Sequence, residues 1–361
     1  MKLAEAPKIL RSTLDTWDRG AARYSRLEAE ARDALEPSLF TYLASGPSNG
    51  AAVQRCRCAF KSWTIVPRVL TGVEASAVET AVDILGRRYP TPLLLAPVGG
   101  LAGVHPENEL PAAAAAARRG VPMVLSTGLA AGLRAVTAVL EAGSAWLQLY
   151  YHGRPAAQRL LDAAERAGCS AIAVTVDSLP APRVAPDLTD VRAQYPLVAL
   201  SLGDRADAAL ARPFTLAEFE WLCGETSLPV LAKGVLSAHD ATRLLESGAA
   251  GLIVSSHGGH GFAEAIASLD ALPAIREALG PAATVLFDSG IRSGSDIFKA
   301  LALGADGVLI GRAWALALAT GGEVAVGDII DNLLLDFRDA MAATGCSSLS
   351  DIDRQLLHRQ S

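Results

Sequence analysis

The sequence predicts an α/β protein built on a (β/α)8 TIM barrel, with an N-terminal helical prelude and a long crossover after the fourth strand. Three observations predict it. Eight short apolar runs recur along residues 93–312. Ala/Leu-rich segments of helical length lie between most of them. Nearly all the runs end in polar or charged residues, as barrel strands do where they open onto the functional face.

The elements follow in order. Residues 1–92 form the prelude, or cap segment. Residues 14–34 mix apolar and charged residues in a helical pattern, and 37–44 read as a short helix ended by Ser-Gly-Pro-Ser-Asn-Gly. Residues 53–63 read as helical, and 77–85 alternate as a small hairpin would. The prelude is expected to cap the bottom of the barrel or to bring Tyr42 to the site. The barrel occupies 93–361, forming a single structural domain with the prelude. Its strand runs are 93–98, 122–127, 145–150, 171–177, 228–234, 251–257, 284–290 and 307–312. Helices are expected over 107–119, 129–142, 155–167, 216–223, 238–247, 269–279, 295–303 and 324–343. The fourth strand, Ala-Ile-Ala-Val-Thr-Val-Asp, carries β-branched residues that pack well inside a barrel. The crossover spans 178–227, and its Pro/Asp-rich first half reads as a lid or substrate loop.

A chain of 361 residues with 51% hydrophobic and 19% charged residues is long and apolar enough for a large single core. Its net charge of −6 and pI near 5.6 argue against a nucleic-acid partner. The N-terminus carries Lys2, Glu5, Lys8 and Arg11 and no long apolar stretch, so it is not a secretory signal. Apolar segments are broken by Gly, Pro or charge before membrane-spanning length, and no membrane association is expected. The five cysteines lack metal-site spacing and suit reduced thiols in a cytoplasm. No metal is expected.

The strand ends carry Ser126, Gln148, Tyr150, Thr175, Asp177, Lys233, His257, Asp288 and Arg312. After strand seven comes Asp288-Ser-Gly-Ile-Arg-Ser-Gly-Ser295, and after strand eight Gly311-Arg312. Glycines let backbone amides approach an anion, a helix start adds a favourable field, and Arg292 and Arg312 supply charge. Single glycines of this kind often only make tight turns, but the combination reads as a phosphate site, which phosphosugar isomerases and aldolases also build in this position. His257 follows strand six in Ser-Ser-His-Gly-Gly-His-Gly and is a good base near neutral pH. Asp177 could hydrogen-bond one nitrogen of His257 and stabilise the imidazolium. Lys233 lies in an apolar strand and must be paired or solvated. It could form a Schiff base or neutralise an anionic cofactor such as reduced flavin.

Several linked stretches resemble the FMN-dependent α-hydroxy acid oxidases and dehydrogenases, the group of glycolate oxidase, lactate oxidase and mandelate dehydrogenase. They are LLLAPVGGLAGVHPENE, AWLQLY, AIAVTVD, LPVLAKGVLSAHDA, GLIVSSHGG, VLFDSGIRSGSDIFKALALGADGVLIGR and MAATGCSSLSDI. The resemblance runs from about Tyr42 to Ile352 and implies an FMN cofactor. It implies that the backbone of Ala96, Pro97 and Val98 passes beside the flavin, and that Ser126, Gln148 and Thr175 contact its ring or ribityl region. Lys233 would stabilise negative charge on the reduced ring, and Ser255 would lie by the ribityl chain. Asp288, Gly290, Arg292, Gly311 and Arg312 would hold the ribityl and phosphate end. His257 would be the base, with Asp177 supporting it and Tyr42 and Tyr150 lining the substrate pocket, Tyr150 close to the chemistry.

Two departures bear on substrate. The family's histidine loop reads His-Gly-(Gly/Ala)-Arg-Gln, and its arginine binds the substrate carboxylate. Here His260 stands at that position, without arginine's planar, permanently charged fork. A second family arginine finds its nearest match in Arg183, at a spacing one residue shorter than usual. The leading expectation is therefore oxidation of a specialised, carboxyl-modified or carrier-linked α-hydroxy acid to its 2-oxo product. An oxidative decarboxylase or monooxygenase and a low-turnover flavin-binding scaffold are the alternatives. A non-flavin phosphosugar lyase is a weaker one. Oxygen or another acceptor would take the electrons, in a cytoplasmic homo-oligomer such as a tetramer.

Overall fold

The computed structural model describes residues 21–46, 50–178 and 214–360. Arg183 lies outside them. Eight strands close into a barrel: β4 (Leu93–Leu95), β5 (Met123–Leu125), β6 (Ala145–Tyr150), β7 (Ala171–Thr175), β8 (Val230–Val235), β9 (Gly251–Val254), β10 (Thr284–Phe287) and β11 (Gly307–Ile310). Neighbours are parallel throughout, and β11 returns to β4.

Strand periodicity divides each apolar run between two cores. Leu94, Trp146, Ala173, Leu231, Ile253, Leu286 and Leu309 meet in an inner cluster. Their neighbours Leu95, Leu147, Val174, Ala232, Val254, Val285 and Val308 belong to the outer cluster under the helices. Both faces are covered, so the runs read as continuously apolar. Moving two residues up each strand from the inner layer reaches Ala96, Gln148, Thr175, Lys233, Ser255, Asp288 and Gly311. The polar ring thus continues the same inward-facing parity.

A hairpin closes the other end. Strands β2 (Val82–Ile84) and β3 (Arg87–Tyr89) pair around Leu85 and Gly86, both with positive φ. That is the primed-turn geometry that suits a two-residue hairpin loop. Ile84 and Tyr89 join the inner cluster, and the Tyr89 hydroxyl donates to the Gly143 carbonyl at 3.0 Å. The hairpin lies farther along than the alternation over 77–85 suggested, because Leu85-Gly86 is its turn. Ala75–Ala77 is a 3-10 turn.

The remaining prelude packs elsewhere. It comprises α1 (Ala21–Ala34), α2 (Pro37–Ser45) and α3 (Ala51–Lys61). Pro37 starts α2, while Glu36 accepts from the Ser38 and Leu39 amides. Strand β1 (Trp63–Ile65) pairs with β12 (Leu357–Arg359).

The outer helices are α4 (Leu110–Ala117), α5 (Leu133–Val139), α6 (Arg154–Arg166), α7 (Leu216–Gly224), α8 (Ala238–Glu246), α9 (Ser268–Leu279), α10 (Gly294–Ala302) and α11 (Arg312–Thr344). Helix α11 begins directly after β11, not near residue 324 as the pattern suggested. Gly321 and Gly322 have non-helical dihedrals, so the glycine pair interrupts this helix instead of preceding it. By length and composition α11 could cross a membrane, but 61% of its most apolar window is buried inside the protein. It packs on α1, α4 and α10.

Candidate active site

Most barrel strands end short of the expected runs, which leaves Ser126, Asp177, Ser255, His257 and Asp288 just beyond them, while Gln148, Tyr150, Thr175 and Lys233 lie within strands. Gln148 donates from Nε2 to Thr175 Oγ1 at 2.8 Å and accepts the Thr127 amide at 3.3 Å. Ser126 Oγ accepts the Gly128 amide. Ala96, Pro97 and Val98 follow β4, and a side chain at Gly311 would reach Ala96 and Val98 at 3.6 and 3.7 Å. The first and eighth strand ends therefore adjoin.

Lys233 and Asp288 form a buried ion pair at 3.2 Å. The Lys233 ammonium also donates to Ser255 Oγ at 3.1 Å, while Ser255 and Ser289 hydroxyls both donate to Asp288 Oδ1 at 2.6 Å. This resolves how a lysine sits in an apolar strand: it is paired and hydrogen-bonded, as a buried charge requires. The resemblance implied that Asp288 serves the ribityl and phosphate end. The structure adds its pairing with Lys233.

His257 stands above that network. Its Nδ1 lies 3.0 Å from Asp177 Oδ1 and its Nε2 lies 3.2 Å from the Tyr150 hydroxyl. Burial raises the Asp177 carboxyl, but the charge and hydrogen bond of His257, with Lys233, outweigh it and hold the group below the usual carboxylate range. A close approach makes this possible. At Gly234, where φ is +108°, an added Cβ would lie 2.3 Å from Asp177 Cγ. Only a glycine lets the carboxylate lie against β8 there.

The histidine loop is held from several sides. His257, Gly258 and Gly259 all have positive φ. For His257 this is an uncommon backbone that its surroundings must stabilise. Ser289 Oγ accepts the Ser256 and Gly258 amides at 3.2 and 3.0 Å. A side chain at Gly259 would lie 2.9 Å from Val53 of α3. Tyr42 of α2 meets His260 with ring centroids 5.3 Å apart. The prelude thus serves both ends: the hairpin closes the floor, and α2 and α3 wall the site.

The phosphate-end residues form a distinct cationic patch. Arg292 is buried and Arg312 half-buried. Among the described residues, neither has a carboxylate within salt-bridge range. Loss of water and the neighbouring Arg292 charge pull the Arg312 guanidinium down to about 10. Two such groups without a counter-ion suit an anion, and the terminal phosphate of FMN fits. Arg312 also donates to the carbonyls of Leu43 at 2.5 Å and Gly258 at 2.9 Å, linking this patch to α2 and the histidine loop. Gly290 lies buried beside them, its carbonyl accepting from Arg57 Nη1.

Two helix starts adjoin these loops. Asp336 Oδ2 already accepts the Gly294 and Ser295 amides at 2.5 and 3.2 Å, so α10 presents an occupied N-terminus. The start without a side-chain cap is that of α11, at Gly311-Arg312. Three further residues escaped the sequence reading. Half-buried His152, with its ring 6.5 Å from that of Tyr150, is held below its ordinary value by loss of water. Strand parity extended past Tyr150 would have found it. Arg57 and Tyr24 reach the cationic patch from the prelude, where no local signal marked them.

The chain is similar to known proteins along most of its length. The family model for FMN-dependent dehydrogenase matches residues 31–359. An L-lactate oxidase of Alicycliphilus denitrificans is 38% identical, covering 93% of this chain and 95% of its own. A 4-hydroxymandelate oxidase of Amycolatopsis orientalis is 36% identical, over 90% of this chain and 94% of its own. A solved mandelate oxidase variant with 2-hydroxy-phenylacetamide superimposes with a TM-score of 0.81 at 36% identity, over 93% of this chain and 97% of its own.

Proposed function

We propose, from the premise that this chain belongs to the FMN-dependent dehydrogenase family, that it oxidises a carboxyl-modified or carrier-linked α-hydroxy acid to the 2-oxo product. FMN is the family's cofactor, and the chain is an FMN-dependent oxidoreductase of the α-hydroxy acid oxidase and dehydrogenase type. The finer reading rests on His257, held between a carboxylate and a phenol at 3.0 and 3.2 Å.

The chemistry follows from that arrangement. When Asp177 accepts from Nδ1–H, the tautomer leaves Nε2 free to take a proton. Oxidation of an alcohol carbon to a carbonyl releases two electrons and two protons. When bound, FMN would supply the acceptor for the electron pair and for one of the protons. His257 Nε2 takes a proton from the substrate, and Asp177 offsets the imidazolium charge. Tyr150, within hydrogen-bond reach of Nε2, orients the substrate oxygen beside it. Lys233, held in place by Ser255 and Asp288, would present its ammonium to the ring, while Gln148 and Thr175 form a pre-ordered polar edge. Oxygen or another acceptor would take the electrons from the loaded protein.

His260 supports the substrate reading. It offers an imidazole packed against the Tyr42 ring where the family pattern has a guanidinium fork. A bidentate clamp selects a free carboxylate by geometry as well as charge. Its replacement by histidine favours an amide, ester or thioester at that end. The amide ligand of the similar mandelate oxidase variant is of this kind. The test is kcat/KM over a matched acid, ester and amide panel, for the native protein and His260→Arg. Native protein should prefer the modified substrates, and His260→Arg should shift preference toward the acid. Ordinary efficiency of the native protein on free lactate or glycolate would refute the reading.

A further inference from the structure

The cationic patch contains one group that the family match does not reach. Tyr24 lies on α1, ahead of the matched residues 31–359. Tyr24 is only 5% exposed, and among the described residues its hydroxyl has no hydrogen-bond partner. Buried hydroxyls are nearly always satisfied, so an orphan one calls for a partner. The Arg292 guanidinium lies 4.1 Å from the Tyr24 ring centroid, and the charges of Arg292 and Arg312 both act on the phenol.

Three donors therefore share one region, two of them cationic; Glu28 acts on Tyr24 and Arg312 through its charge, but among the described residues none of the three has a carboxylate at hydrogen-bond distance. Burial raises the phenol above its ordinary value, against the lowering effect of both arginines, so the hydroxyl keeps its proton near neutrality. A phosphate monoester matches this set, since it is anionic and offers several acceptor oxygens.

We propose that Tyr24 donates a hydrogen bond to the terminal phosphate of FMN, completing a cradle whose charge comes from Arg292 and Arg312. This rests on the phosphate-end reading of those two arginines and assigns a cofactor-holding role to a residue ahead of the matched family segment. The ring also contributes by stacking against Arg292, which keeps the guanidinium from folding away from the site. Tyr24→Phe separates the two roles, because it retains the ring and removes only the hydroxyl.

The experiment titrates apoprotein with FMN and, separately, with riboflavin, which lacks the phosphate. Bound and free ligand are separated by flavin fluorescence. Tyr24→Phe should weaken FMN binding roughly ten-fold or more, as expected for a lost hydrogen bond to a charged acceptor, and leave riboflavin binding unchanged. The phosphorus resonance of bound FMN should move in the variant. Unchanged FMN affinity, or an equal loss for both ligands, would overturn the assignment. FMN binding no tighter than riboflavin in the unsubstituted protein would overturn the phosphate-end reading itself, and Tyr24 with it.

Discussion

Replacing Asp177 by asparagine isolates the charge behind His257. The two groups meet at 3.0 Å, with side chains 15% and 27% exposed. Unit charges about 4 Å apart interact by about 4 kcal/mol at an effective dielectric of about 20. Partial exposure trims this to about 2–3 kcal/mol, or roughly 30- to 150-fold in the rate of a step that forms imidazolium. Anaerobic stopped-flow measurement of FMN reduction reads that step without the oxidative half-reaction. Bound FMN should be retained, since Asp177 is not part of the cationic patch. The same substitution has a pH signature. The carboxyl is held below its ordinary value near 3.8, so its contribution to stability is complete above that value and is lost as pH falls through the depressed one. Asp177→Asn should remove this acid-side dependence from denaturant melts. Reduction at the native rate would refute the role assigned to Asp177, and with it the argument that His257 acts as a supported base.

Three further outcomes follow from the same geometry. His257→Ala should keep FMN bound while slowing substrate-driven reduction by roughly 10²–10⁴-fold, and near-native reduction by the true substrate would sink the base assignment. Lys233→Met leaves the Asp288 carboxylate buried with only serine donors, so it should cost about 3 kcal/mol or more in denaturant melts. It should also lower the midpoint potential of bound FMN, and an unchanged potential would remove the electrostatic role. Gly234→Ala puts a Cβ into the space of the Asp177 carboxylate, so it should slow reduction toward about 10²-fold by misplacing His257's partner. Native kinetics in that variant would mean that the close approach at Gly234 has no functional consequence.

Much of the site was legible because β-strands impose a period of two. Once Trp146, Ala173 and Ile253 are read as interior, Gln148, Thr175 and Ser255 must face the same way, and Tyr150, Asp177 and His257 come next. The glycine-rich ends of β10 and β11 were legible for a similar reason, since local backbone chemistry marks them. The strand runs were overextended because polar inward-facing residues continue the alternation after ladder pairing has stopped. The glycine pair in α11 hid a helix that starts at Arg312, since local propensity does not register a kink that packing on α1 and α4 supports.

What the sequence by itself determined was the barrel, its polar ring and the departure at His260, because these depend on residue type and short-range spacing. Apart from the Asp177–His257 contact that the sequence anticipated, tertiary structure decided which ring members pair. Lys233 and Asp288 are separated by two strands' worth of chain, yet closure of the barrel brings them to 3.2 Å. It also decided that α2 carries Tyr42 to His260 and that α1 buries Tyr24 beside Arg292. Those contacts join the prelude to loops more than two hundred residues away in sequence. No local periodicity encodes them, because they form only when the helices settle against a barrel that has already closed.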